Sequence, residues 1–158
     1  MFDTDRAFLR HALATLAYRA SKTIREAPEE FADFNIGDNT RTPVRILSHM
    51  GDLIDWALSL ARGTQSWNDS QAKAWSKETE RFFASLKGFD DYLASGEPLQ
   101  CEAARLLQGP VADALTHTGQ LAMLRSLAGS PIKGENYFVA EIVAGNVGEQ
   151  QAKAKREF

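Results

Sequence analysis

Asp113 and His117 are the residues of this chain whose types and spacing most plainly suit chemistry. They stand one helical turn apart in Asp113-Ala-Leu-Thr-His117-Thr-Gly-Gln120, which continues into Leu121, Leu124 and Leu127. At about 100° per residue, Leu106, Asp113, Leu121 and Leu124 all fall within roughly 40° of His117. A carboxylate and an imidazole therefore share the stripe that leucines occupy. Burying two ionisable groups is costly unless something pairs with them. A metal ion bound by both is the most economical account, and it needs further ligands from elsewhere. The competing account of Asp113 is electrostatic: if a helix starts at Pro110, a carboxylate in its first turn is favoured by the helix dipole.

The chain has three histidines, so their placement is informative. Ile46, His49, Leu53, Trp56 and Leu60 share one helical face, with His49 near the edge of the apolar arc, about 20° from Trp56. Taken alone, His49 reads as a core histidine bonded to a backbone carbonyl. An inward histidine and an inward aspartate on another helix turn that reading toward a shared ligand set. His11 projects away from the stripe Leu9, Leu13, Leu16 and Ala20 and is expected in solvent. Asp52 and Asp55 fall on the polar side of their helix.

The elements that must position these groups are helical. The first is expected over residues 4 to 26, capped by Asp3 or Thr4. Residues 27 to 41, with Pro28, Gly37, Asp38 and Asn39, read as a long loop. Thr42-Pro43 opens a second helix that runs to Gly63. A turn at residues 66 to 70, with Asn68 or Asp69 as cap, begins a third helix reaching residue 94. Its core stripe is Trp75, Phe82, Leu86, Phe89 and Leu93. The fourth begins near Pro98 or Leu99, and Gly109-Pro110 should interrupt or kink it, or divide it into two helices over residues 99–107 and 110–128. After Gly129 the periodicity stops, and the charged end is expected to fray. The expectation is an all-α four-helix bundle over residues 1–144, with a long first connection, followed by an irregular, frayed tail over residues 145–158.

Composition sets the limits. A chain of 158 residues is one domain's worth and buries roughly 68–70% of its unfolded surface. A net charge of −3 leaves no basic footprint for nucleic acid. The apolar runs fall short of a membrane span, and Met1-Phe-Asp-Thr-Asp does not resemble a secretory leader. One cysteine, Cys101, allows no internal disulfide, and a cytoplasmic location is expected.

Ile46-Leu-Ser-His49-Met-Gly-Asp-Leu-Ile-Asp-Trp56, taken with Asp113-Ala-Leu-Thr-His117-Thr-Gly-Gln120-Leu-Ala-Met-Leu-Arg125, resembles the DinB-like (DinB/YfiT-like) family of metalloenzymes. The resemblance covers residue 2 to about residue 144 and implies a four-helix bundle. In that family one histidine on the second helix and two on a later one, in an H-x-x-x-H pattern, hold a divalent metal. His49 matches the first and His117 the last, while Asp113 stands where the pattern has histidine. The implied site is therefore His49, Asp113 and His117, with Gln120 supporting a ligand or a bound water and Trp56 as a pocket wall. Zinc or nickel is the expected ion; iron and manganese also suit two histidines and a carboxylate.

Three functions follow from the resemblance. The first is a metal-dependent transferase in which a low-molecular-weight thiol such as mycothiol or bacillithiol attacks a small electrophile, or a hydrolase in which water does. The second is a non-catalytic metal- or ligand-binding stress-response protein. The third is an interaction module in which Asp113 marks a decayed metal site. Expected partners are a small-molecule substrate and, in a homodimer, a second copy of the chain, with no nucleic acid and no membrane. The loop at residues 27–41 and the segment at residues 134–138 are the expected rim of the site.

Overall fold

Asp3 opens the first helix: its carboxylate accepts the Arg6 N–H, and α1 runs Thr4–Ile24. The computed structural model describes residues 3–158, so Met1 and Phe2, counted in the expected domain, lie outside the described residues. Helix α2 spans Pro43–Ala61, with proline in the first turn, where its missing N–H costs no bond. Helix α3 spans Trp75–Ser95 and stops at Gly96, whose φ of 79° is the left-handed conformation that suits glycine. The last helix, α4, covers residues 103–127 in three joined pieces. Ala103–Leu106 is α-helical, Leu107–Val111 is π-helical and Ala112–Leu127 is α-helical again. Among the described residues there is no β-strand, and Glu135 and Glu157 form an isolated antiparallel bridge. The chain is an all-helical bundle of four helices, as the periodicity predicts.

The core is filled by the predicted stripes. Leu9, Leu13 and Leu16 of α1, Leu47 and Ile54 of α2, and Phe82, Leu86 and Phe89 of α3 are all buried. Leu106, Leu121 and Leu124 bring α4 onto them. His11 is exposed, as expected. No described helix is long and apolar enough to cross a membrane.

Four local expectations need correction. Helix α3 starts at Trp75 rather than near residue 69, because Ser70 is committed elsewhere: its N–H and hydroxyl both donate to Asp52, at 2.9 and 2.6 Å. The true start is secured by Glu78, whose carboxylate reaches back to the Lys73 N–H. Helix α4 begins at Ala103, not at Pro98 or Leu99, after Gln100 has donated its N–H to the Ala61 carbonyl. Gly109-Pro110 interrupts the α-helical pattern, as expected, but does not divide α4 into two helices. Pro110 has no N–H for the residue 106 carbonyl and its ring would crowd it, and the wider π turn relieves both problems without breaking the helix.

The last correction concerns the tail. Residues expected to fray lie along the bundle, where the Phe158 N–H donates to the Gly134 carbonyl and the Asn136 N–H to that of Arg156. The cause is the buried Lys22 ammonium, which bonds Glu135 at 2.8 Å and Glu157 at 3.1 Å. Val147 is buried in the same layer.

Candidate metal centre

His49 on α2 faces Asp113 and His117 on α4, and one ligand atom from each lies within 4.8 Å of the others. The His117 Nε2 stands 3.5 Å from one Asp113 oxygen and the His49 Nε2 stands 3.8 Å from the other. The two imidazoles meet edge to face, with centroids 4.9 Å apart. Ligand atoms on a tetrahedral ion with bonds of about 2.0–2.2 Å stand roughly 3.3–3.6 Å apart. The two carboxylate–imidazole distances are already at or near that spacing. Both are too long for hydrogen bonds, so the three groups converge without satisfying one another.

The supporting shell fixes which nitrogen is presented. The His117 Nδ1–H donates to the Gln120 amide oxygen at 2.7 Å, one turn further along α4. That bond leaves Nε2, the atom nearer Asp113, with its lone pair free. The His49 imidazole is held below its ordinary pKa, first by burial, then by the charges of Arg41 and His117; Asp113 and Asp52 pull it the other way. The neutral ring favoured by burial is the form that binds a metal.

Trp56 lines an opening that contains Asp113, and it touches a residue the sequence did not single out. Trp67 packs edge-on against both His49 and Trp56, with centroids 5.7 Å away in each case. It comes from the loop at residues 62–74, pinned three residues later by the Ser70–Asp52 bonds. The Trp56 indole N–H is buried and has no hydrogen-bond partner.

Asp52 is the other correction. Expected on a polar face, it is buried and accepts from Ser70 and, at 3.0 Å, from the Arg81 guanidinium. Arg81 also bonds Glu78 and the Ser48 carbonyl, immediately before His49. Gly51 makes room for it, since a Cβ there would lie 2.8 Å from the guanidinium carbon. An Arg81–Glu78 pair at i, i+3 on α3 was the available signal, but a helical wheel of α2 alone does not show what faces it.

Asp113 is less buried than the leucine stripe suggested. Its side chain is 47% exposed, against 9% for His117 and 16% for His49. The buried arc of α4 contains Ala114, His117, Thr118, Leu121, Leu124 and Arg125, so His117 lies near its edge rather than at its centre. Asp113 falls about 40° further toward solvent. The centre therefore borders solvent on the Asp113 side. A cavity of 610 Å³ contains His49 together with Arg41, Arg45, Asp33 and Asp69. A second opening, lined by Trp56, Gly109 and Thr116, contains Asp113. The 27–41 loop thus borders the centre. The 134–138 segment does not, since Glu135 lines a separate cavity with Tyr18 and Lys22.

The donor set of two imidazole nitrogens and one carboxylate fits a divalent ion, with the carboxylate side open to solvent. Compared with protein-family models, curated proteins and solved structures, the chain finds no match.

Proposed function

We propose that this chain is a metal-dependent enzyme of the DinB-like kind, with a divalent ion held by His49, Asp113 and His117. The observation that carries the reading is the convergence of two imidazoles and a carboxylate that make no hydrogen bond to one another. The bundle of four helices, with ligands on the second and last, supports the family assignment. Zinc or nickel is the favoured ion, and the same donors accept iron or manganese. When bound, the ion supplies positive charge that favours the deprotonated form of a nearby thiol or water and polarises an electrophile.

The chain's own residues do the rest. Gln120 holds His117 in one tautomer and one orientation, which spares the site the cost of ordering it at each encounter. Trp67 and Trp56 shield one side of the His49 ring from water. The exposed Asp113 carboxylate adds negative charge to the ligand set. It strengthens the hold on a hard cation and makes the bound nucleophile less acidic than a third histidine would. Transfer of a thiol to a small electrophile is the favoured reaction, with hydrolysis next.

Zinc stoichiometry, measured with and without His117→Ala, tests the site, and thiol addition to a haloarene or epoxide tests the activity. One ion per wild-type chain, lost in the variant together with turnover, is the expected result. Equal metal content in both proteins would reject the site. Metal binding without turnover of thiols or esters would favour the non-catalytic binding protein.

A further inference from the structure

A guanidinium stands between two cavities beside the centre. Arg41 lines the cavity that contains His49, and it also lines a neighbouring groove of 530 Å³ formed with Ile36, Ile46, Met123 and Leu124. Among the described residues Arg41, like Arg45, makes no ion pair and no hydrogen bond, but only Arg41 lines both cavities. Beside it lies an apolar wall that folding has left uncovered: Ile36 is 51% and Met123 62% exposed. Two of the groove's residues adjoin the centre without the groove containing its ligands. Ile46 lies one turn before His49, and Gln120, which also lines the groove, bonds His117. An unpartnered guanidinium next to open apolar surface is complementary to a carboxylate attached to an apolar body.

We propose that Arg41 and this groove bind an organic carboxylate with an apolar chain, and that the small molecule reacting at the centre belongs to this class. The guanidinium takes the carboxylate through two parallel N–H donors while the chain lies along Ile36, Ile46 and Met123. That the acid is a substrate rests on the metal-dependent reading above; that it binds does not. Arg45 lines only the first cavity, away from the apolar wall, so it takes no part in the selection.

The test uses the full chain kept metal-free with a chelator, titrated by NMR with hexanoate and with its neutral analogue hexanamide. Wild type should bind hexanoate at least about tenfold more tightly, the scale of a charge-assisted pair. Arg41→Gln should abolish that preference, Arg45→Gln should keep it, and Met123→Ser should weaken both compounds alike. Equal binding by wild type, or a preference that survives Arg41→Gln, overturns the subsite. Zinc titration of the same proteins, after the chelator is removed, reports on the centre separately. Acid selection without zinc binding would sink the metal-dependent reading and leave the subsite standing; zinc binding without acid selection would do the reverse.

Discussion

His49 and Asp52 stand three residues apart on α2, yet they belong to polar clusters of opposite kinds. Around Asp52 every charge is answered: Ser70 and Arg81 bond its carboxylate, and Arg81 is shared with Glu78 and the Ser48 carbonyl. Around His49 the groups approach to 3.5–3.8 Å and make no hydrogen bond to one another, and His49 lines a cavity. A buried polar group ordinarily finds a partner. The first cluster has its partners within the fold, and the second leaves room for one from outside. The difference separates a brace from a binding site more reliably than residue type does, since both clusters contain carboxylates and cations.

Breaking the brace should give the largest effect. Arg81→Ala strands Asp52 and Glu78 and should cost about 3 kcal/mol in urea unfolding, the lower end for a buried pair because the guanidinium is partly exposed. It should also loosen the loop that carries Trp67, read as a shift in tryptophan fluorescence. Removing a member of the open cluster should act on binding instead. His117→Ala should weaken zinc by more than about 100-fold in a chelator-competition assay, beyond what loss of an outer-shell partner costs. Gln120→Ala, which removes such a partner, should weaken zinc by about 10–100-fold. Asp113→Asn sharpens the contrast: in metal-free protein its effect on stability should stay within about 0.5 kcal/mol, as at an exposed position.

The smallest expected effect is on titration. The pKa of His49 lies below its ordinary value of 6.5 in the folded state, so the unfolded chain binds the proton more readily. Its contribution to stability is therefore present above pH 6.5 and lost as pH falls through that value toward the lower folded pKa. In metal-free Arg41→Gln the His49 pKa should rise in an NMR titration, since one of the charges that lowers it is gone. An unchanged value would mean that Arg41 is electrostatically remote from the centre.

The bundle was legible because each helix carries its own 3.6-residue stripe, which is a property of the local sequence. That His49, Asp113 and His117 lie on or beside the apolar stripes of two helices was legible for a similar reason, and the structure brings them together. What escaped was set by contacts between segments distant in sequence. Asp52 looks solvent-facing until α3 brings Arg81 against it, and Trp67 looks like a loop residue until Ser70 ties that loop to α2. The tail looks too polar to stay in place until Lys22 is found buried beneath it. Buried charge is recognisable only once both partners are placed.

The π turn at Leu107–Val111 holds one residue more than an α-helical turn would. The wider turn absorbs that surplus, so the two halves of α4 keep the phase they would have on an α-helix one residue shorter. Before it, Leu106 is buried in the core; after it, Asp113 and His117 meet His49. Deleting one residue within Leu107–Val111 would give a regular α-helix with both halves still in place, whereas deleting one from the regular helix between Ala112 and His117 would turn everything beyond it by about 100°. Along this part of α4, a one-residue change in length is cheap at the π turn and costly after it.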